Sequence, residues 1–422
     1  MKRLIQAIIL LVAVLNASAQ TPTCDSAQYL FKTYDEYKVP YRIPAIATTR
    51  KGHVVALCDR RYCGADIGFG KIDIVSRTSR DNGRTWSADT VVQRGSGIEG
   101  SNDCGYGDVA VVADRTSNRI LCMSVTGNTV YFRGTRQQPN RVARWYSNDG
   151  GKSWTAAEDV TNVFYGLGQY VGRGLFPNTE TMFIGSGRIC QSRLVKKGKY
   201  YRLYCAVLTM TGPERKACNY VIYSDDFGQT WEVLGSPQRT VEDSPCVGGD
   251  EPKCEELPNG DVVLSSRKWY GRYFNVFHFK FFAYNQTEGT WGSCVASHDV
   301  RDGIKVGSNS CNGEIMLVDA CETGTRRPVK LMLQSLPCGD KRTRVGFWYK
   351  EINPNGIYSP LAFAADWIKG LEVSAINSAY STMTLQKNGR IGFFYEEEPN
   401  DYSMVYVALS ISQITGGKYY RK

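Results

Sequence analysis

The sequence predicts an all-β fold, a six-bladed β-propeller. Three observations lead there. A turn motif recurs three times, paired apolar strands recur at regular spacing around it, and the composition favours sheets. The chain has 26 Tyr, 8 Trp and 42 Gly in 422 residues, and long helical patterns rich in Ala, Glu and Lys are missing. With 42% hydrophobic and 22% charged residues, it is not a disordered chain.

The turn motif is SRDNGRTW at Ser79–Trp86, SNDGGKSW at Ser147–Trp154 and SDDFGQTW at Ser224–Trp231. YNQTEGTW at Tyr284–Trp291 reads as a decayed copy. The shared pattern, Ser-x-Asp-x-Gly-x-(Thr/Ser)-Trp, is the Asp box, or BNR repeat. Its Asp accepts backbone N–H groups, its Gly takes a positive φ, and its Trp packs under the turn. These residues are structural and carry no direct chemistry. An internal repeat of this kind points to one unit repeated around an axis.

The elements follow in order. Residues 1–19 read as a secretory signal: basic Lys2 and Arg3, an apolar run from Leu4 to Leu15, then Ala17-Ser18-Ala19 at the cleavage point. Such a run is too short to span a bilayer. Residues 20–422 read as one six-bladed catalytic propeller. Gln28–Tyr34 is expected to close the ring by pairing into the last blade. Hairpins are expected at Ile43–Ala47 with His53–Cys58, Asp108–Ala113 with Arg119–Val125, and Arg188–Val195 with Tyr200–Leu208. Three more follow at Cys254–Leu257 with Asp261–Ser266, Glu314–Ala320 with Val329–Gln334, and Ser381–Gln386 with Arg390–Glu396. Third strands lie at Ile72–Ser76, Val142–Ser147 and Tyr220–Ser224, each running into an Asp box, and at Phe274–Phe281, Val345–Lys350 and Met404–Ile411. Strands at this regular spacing, with one turn motif per unit, argue for a six-bladed propeller.

Turn chemistry sets the expected registers. Two-residue turns at Asn388-Gly389, Asn259-Gly260 and Lys51-Gly52 put Tyr380 opposite Glu397, Glu251 opposite Lys268, and Arg42 opposite Arg61. All three hairpins then carry charged or phenolic residues at the end away from the turn, where a propeller's inner strands converge on its channel. A two-residue turn at Lys197-Gly198 likewise puts Cys190 opposite Cys205, within disulfide reach; two buried free thiols are the other reading. All 14 cysteines lie beyond residue 20, and an oxidising compartment permits disulfides.

Composition also excludes functions. Three histidines, with no HExxH or CxxC motif, argue against a zinc hydrolase or a thioredoxin-like enzyme. The chain has 51 Lys and Arg against 41 Asp and Glu, but no dense basic run with interleaved aromatics, so nucleic acid is not expected. Arginines at scattered, defined places suit carboxylate recognition.

At YRIP (Tyr41–Pro44), the three Asp boxes, GDEPKCEELPNGDVVLSSR (Gly249–Arg267) and AYSTMTLQKNGRIGFFYEE (Ala379–Glu397), the sequence resembles secreted bacterial exo-α-sialidases, the neuraminidases of glycoside hydrolase family 33. The resemblance runs from about Tyr41 to Glu397. It implies a six-bladed propeller and a retaining hydrolase that releases terminal sialic acid through a covalent tyrosyl intermediate. It assigns Arg42, Arg267 and Arg342 to a triad gripping the sialic acid carboxylate, with Arg344 the alternative for the third. Guanidinium suits that task because its planar fork pairs bidentately with a carboxylate.

By the same resemblance, Tyr380 is the nucleophile and Glu251 its base. Asp66, in the Gly-rich loop Tyr62–Ile72, is the general acid/base, with Asp59 and Asp73 as competitors. Glu396 orients the first arginine, with Glu397 its rival, while Arg61 and Asp108 contact the sugar. The implied partners are sialylated glycans: glycoproteins, mucins, gangliosides and sialyl-oligosaccharides. No metal or other cofactor is needed. The implied location is secreted, periplasmic or at the cell surface. A trans-sialidase and a non-catalytic glycan-binding propeller remain as alternatives.

Overall fold

The computed structural model describes residues 26–167, 179–235, 241–280, 287–398 and 401–421; the expected signal sequence lies outside them. Six sheets, antiparallel except where the short strand Gly187–Arg188 joins Tyr106–Ala113 in parallel, surround a central channel as the blades of a propeller. The first runs from inside to outside through Tyr41–Thr48, Val54–Arg61, Ile72–Ser79 and Thr90–Gln93. Blade two repeats this order with Tyr106–Ala113, Ile120–Thr126, Arg141–Ser147 and Glu158–Asp159. In blade three the inner edge of Tyr200–Thr211 is shared by Thr179–Ile184 and Cys190–Lys197. Blades four, five and six begin on Asp250–Glu256, Ile315–Glu322 and Ser378–Leu385. Gln28–Phe31 supplies the outer strand of blade six, with Gln28 opposite Tyr406, so the expected ring closure is present. No helix among the described residues is long and apolar enough to cross a membrane.

The core is divided among the seams between blades. Alternate residues of each strand face opposite neighbours, so Leu57 and Ile74 of blade one pack against Val111 and Trp145 of blade two. On the other side, Ala56 and Val75 pack against Phe394 and Tyr406 of blade six. Each sheet is therefore apolar on both faces. This explains the near-continuous apolar strands, such as Val54–Cys58.

The Asp boxes join third strands to outer strands. In the first, Asp81 Oδ1 accepts from the Thr85 N–H at 2.9 Å and Oδ2 from the Thr85 hydroxyl at 2.6 Å. Ser79 Oγ accepts from the Gly83 N–H at 2.7 Å, a use of the leading Ser that the motif alone did not disclose. Gly83, Gly151 and Gly228 take φ of 84, 90 and 82°, as expected. Trp86 meets the ring of Tyr406 on blade six edge-on at 4.9 Å, so the box also staples neighbouring blades. The decayed copy is described only from residue 287; its Gly289–Trp291 forms the outer strand of blade four.

The registers correct the sequence reading by one residue beside these turns and by two beyond the bulges at the open ends. Gly52, Gly260 and Gly389 each donate N–H to the carbonyl three residues earlier, on Thr49, Leu257 and Gln386. The loops thus hold three residues, not two, and every opposed pair slips. Arg42 faces Asp59 instead of Arg61. Asp250 faces Arg267, in place of Glu251 facing Lys268. Ser378 faces Glu397 and Ser381 faces Tyr395, so Tyr380 has no direct opposite. In blade three, Cys190 faces Tyr204. Cys190 then points into the seam with blade four and Cys205 into the seam with blade two, because a one-residue slip reverses the face. Both are free thiols, and the expected Cys190–Cys205 disulfide is not formed.

The inner strands also carry bulges at the open end. The ladder shifts between Arg42 and Ala45, Gly107 and Ala110, Asp250 and Pro252, and Ser378 and Ser381. A bulge bends its strand and re-aims a side chain. Ile43 and Asp108, within two of them, hold positive φ of 61 and 55°.

The boxes carry a pH signature. Hydrogen bonds from the Thr85 hydroxyl and N–H hold Asp81 down to about 2, and at Asp149 those from Ser153 outweigh the opposing effect of burial and give about 2. An unfolded Asp titrates near ~3.9, so this stabilisation is complete above that pH and is lost as pH falls towards 2. Melting temperature measured from pH 6 to pH 2 should therefore fall less steeply in Asp81→Asn/Asp149→Asn than in wild type; parallel curves would refute the assignment.

Candidate active site

The bulged strand ends converge on a pocket of about 340 Å³ at one mouth of the channel. Arg42 comes from blade one, Asp108 from blade two, Glu251 and Arg267 from blade four, and Tyr380 from blade six. Asp66 and Arg342 reach in from loops. Seven of the residues expected from sequence therefore line one cavity, with Arg61 and Glu396 bonded directly behind it.

Tyr380 lies at the centre. Its Oη donates to Glu251 Oε1 at 2.7 Å and accepts from Arg267 Nη1 at 2.8 Å. The same Nη1 also donates to Glu251 Oε2 at 2.6 Å. Burial, and then the Glu251 charge, push the phenol well above its ordinary range, with Arg267 opposing. The guanidinium carbons of Arg42, Arg267 and Arg342 lie 5.6, 5.9 and 5.4 Å from the Tyr380 ring centroid. Three cations thus ring one phenol.

Those cations are held unequally. Arg42 donates to both oxygens of Glu396, at 2.8 and 3.2 Å. Glu396 is fully buried and also accepts the N–H groups of Ile43 and Tyr380 at 2.8 and 3.1 Å. One carboxylate thereby fixes the bulges of blades one and six to each other. Glu397 instead accepts from Ser374, so of the two carboxylates it is Glu396 that holds Arg42. Arg267 Nε donates to Ser310 Oγ at 3.1 Å and lies 3.3 Å from Asp250. The Arg342 guanidinium makes no hydrogen bond or ion pair among the described residues, so its fork is uncommitted. Arg344 is exposed and lies 3.7 Å from Glu372, outside the pocket lining. Of the two, Arg342 lines the pocket and Arg344 does not.

A second cluster flanks the triad. Arg61 is buried and meets three carboxylates: Asp59 at 3.0 Å, Asp66 at 2.7 Å and Asp108 at 3.8 Å. Asp59 also accepts the Asp108 N–H at 3.0 Å. Burial raises Asp59 to about 7 against the pull of Arg61. It lifts Asp108 well above the carboxylate range, with the charges of Asp59 and Asp66 adding to the effect. Asp59 and Asp73 are both fully buried, whereas the Asp66 side chain is 67% exposed at the mouth. Only Asp66 of the three can meet a group entering from solvent.

Sequence reasoning missed several contributors. Asp250, beside Glu251, lines the pocket; its acidity next to a motif residue was the available signal. Tyr402, 5.2 Å from the Arg42 guanidinium, and the apolar wall of Phe69, Tyr131, Phe132 and Phe183 had no signal in one sequence.

The fold and site define a six-bladed Asp-box propeller with an arginine-lined pocket. The BNR/Asp-box repeat family matches residues 145–156 and 222–233, the second and third boxes. A sialidase from Micromonospora viridifaciens is 31% identical over 243 residues, which is 54% of this chain and 32% of that protein. The chain also spans less than half the length of two further bacterial sialidases that it matches. Among solved structures, a Hadza microbial sialidase superposes with a TM-score of 0.70 at 19% identity, covering 92% of this chain and 69% of that one. Trypanosoma rangeli sialidase, in complex with 2,3-difluorosialic acid as a covalent intermediate, gives 0.62 at 18% identity, covering 92% and 59%. The chain is similar to bacterial sialidases of the glycoside hydrolase family 33 type.

Removing the Glu396 carboxylate leaves Arg42 without its partner and two bulge N–H groups unpaired. Breaking such a pair costs about 3–5 kcal/mol. Urea unfolding of Glu396→Ala should show a loss of that order; a change below about 1 kcal/mol would contradict the buried anchor.

Proposed function

We propose that the protein is a retaining exo-α-sialidase that hydrolyses terminal sialic acid from glycoproteins, glycolipids and oligosaccharides. One observation carries the reading: a buried tyrosine hydrogen-bonded to a carboxylate, with three guanidinium groups around its ring.

The pocket suits a carboxylate ligand. Arg342 offers an uncommitted fork, while Arg42 and Arg267 are fixed in place by Glu396 and Glu251. Sialic acid carries its carboxylate on the anomeric carbon itself. A carboxylate nucleophile would be repelled there, whereas a phenol enters uncharged. Sialidases accordingly depart from the usual two-carboxylate scheme by using a tyrosine nucleophile.

The proposed sequence begins with the triad binding the sialic acid carboxylate. Asp66, at the exposed mouth, gives a proton to the departing glycosidic oxygen. Tyr380 Oη bonds to the anomeric carbon as its proton passes to Glu251 Oε1, 2.7 Å away. Burial alone would keep that proton on the phenol, so the adjacent base and the Arg267 charge are what activate it. Water then attacks the anomeric carbon, with Asp66 as base, and breaks the bond to Tyr380. Two displacements retain configuration. In the free site Asp66 rests on Arg61, so the acid must turn towards the leaving group as substrate enters.

Asp108 and Arg61 line the region for the sugar's polar groups. Asp108 is a buried carboxyl pushed strongly towards its neutral form, and a neutral carboxyl donates a hydrogen bond as well as accepting one.

Release of a fluorogenic aglycone from an aryl α-sialoside tests the reading, with sialyl-lactose as the companion substrate. Wild type should turn over both. Tyr380→Phe should lose roughly 10³-fold or more in kcat on each. Asp66→Ala should lose about 10²–10⁴-fold on sialyl-lactose and much less on the aryl sialoside, whose leaving group needs little acid help. A folded wild type inactive on both substrates would overturn the hydrolase reading.

A further inference from the structure

We propose that Cys246 and Cys294 are a modification site: they form a disulfide that ties blade three to blade four immediately ahead of the strand bearing Glu251. Their sulfurs lie 3.0 Å apart. Cys246–Val247 is a short strand on the edge of blade three, with Cys246 opposite Asn219 and Val247 opposite Cys218. Cys294 immediately precedes Val295–Ala296, which pairs with Tyr273 and Phe274 of blade four. A bond between them crosses a blade seam that the other described contacts hold only non-covalently.

The competing partner is Cys218, and strand geometry sets it aside. Neighbouring residues on a strand point to opposite faces. Cys218 accordingly packs in the seam between blades two and three, while Cys246 packs between three and four. Cys294 lies against that second seam as well.

The position gives the bond a purpose. Between Cys246 and Glu251 the chain passes through Gly248 and Gly249, and Asn219 Nδ2 donates to the Gly249 carbonyl at 3.2 Å. A Cβ on Gly249 would stand 2.0 Å from Asn219 Oδ1 and 3.0 Å from Cys246 Sγ. The approach to Glu251 is therefore closely packed on Cys246, and a staple there restrains the strand that carries the carboxylate bonded to Tyr380.

The chemistry balances as thiol–disulfide exchange with a low-molecular-weight disulfide as oxidant. Cys294 is the more exposed partner; its sulfur bonds to one sulfur of the oxidant and expels the other as a thiol. Cys246 Sγ then attacks Cys294 Sγ and expels the second thiol. Two protein thiols lose two electrons, the oxidant gains them, and the two thiol protons leave with its halves. In the reduced site the hydrogen bond from the Cys294 thiol, against the opposing effect of burial, and then the Ser266 hydroxyl and the Lys268 and Arg272 charges favour the Cys246 thiolate, the attacking form in the second step.

The test uses the full chain, reduced and then exposed to oxidised glutathione. Remaining thiols are blocked with N-ethylmaleimide under denaturing conditions, and the protein is digested without reductant. The expected result is a linked peptide pair containing Cys246 and Cys294, and a melting temperature roughly 5 °C above the reduced protein. Dithiothreitol should reverse both. In Cys294→Ser, oxidation should no longer raise the melting temperature. Should that variant fail to fold, the wild-type peptide map decides alone. Free Cys246 and Cys294 after oxidation, or Cys246 linked to Cys218, would overturn the proposal.

Discussion

Three guanidinium groups converging on one phenol ring repel each other, and the arrangement stands only because carboxylates are built in behind them. Glu396 neutralises Arg42 and Glu251 neutralises Arg267. Removing like charges from water is costly unless each is paired and hydrogen-bonded. The pairing is therefore part of the fold, and Glu396 shows it best. It accepts from the Arg42 guanidinium and from backbone N–H groups on two different blades. The same atoms that neutralise Arg42 also fix the backbone on which Tyr380, the proposed nucleophile, sits. Arg342 is the exception: it lines the pocket with no hydrogen bond or ion pair of its guanidinium among the described residues.

The propeller supplies this economically. Six inner strands end at one mouth, so residues far apart in sequence, such as Arg42 and Tyr380, come together without long loops. A regular ladder would point every second side chain into a seam. The bulges at Arg42, Asp108, Glu251 and Tyr380 break that alternation only where the channel opens. The Asp boxes lie between third and outer strands, away from these ends. Their hydrogen bonds and tryptophans stiffen the outside while the inner ends carry the polar residues.

Much of this was legible in the sequence. The boxes marked the third strands, and the apolar pairs ahead of them marked the hairpins. Ring closure was read at Gln28–Tyr34, and the pairing strand is Gln28–Phe31. The site residues were legible because they sit beside recognisable turns and motifs. The register was not, because Asn-Gly and Lys-Gly serve both a two-residue turn and the last two positions of a three-residue loop. That ambiguity, added to the bulges, displaced the partners of Arg42, Arg267 and Glu397 by two positions, while the expected Cys190 pairing was lost to a register shift between Gln191 and Lys196. Bulges have no residue signature of their own, so Ile43 and Asp108 at positive φ could not be read. The Cys246 and Cys294 contact depends on how two blades meet, which lies beyond local pattern.

The proposed reaction requires Tyr380 to become covalently bonded to the anomeric carbon. Incubation with 2,3-difluorosialic acid, followed by peptide mapping of the intact adduct, tests it directly. Fluorine beside the anomeric centre destabilises the oxocarbenium-like transition state and lets the intermediate accumulate. The account predicts one sialosyl group on the peptide containing Tyr380, and none on Asp66 or Glu251. An adduct on either carboxylate, or steady turnover of sialosides with no adduct on Tyr380, would contradict it.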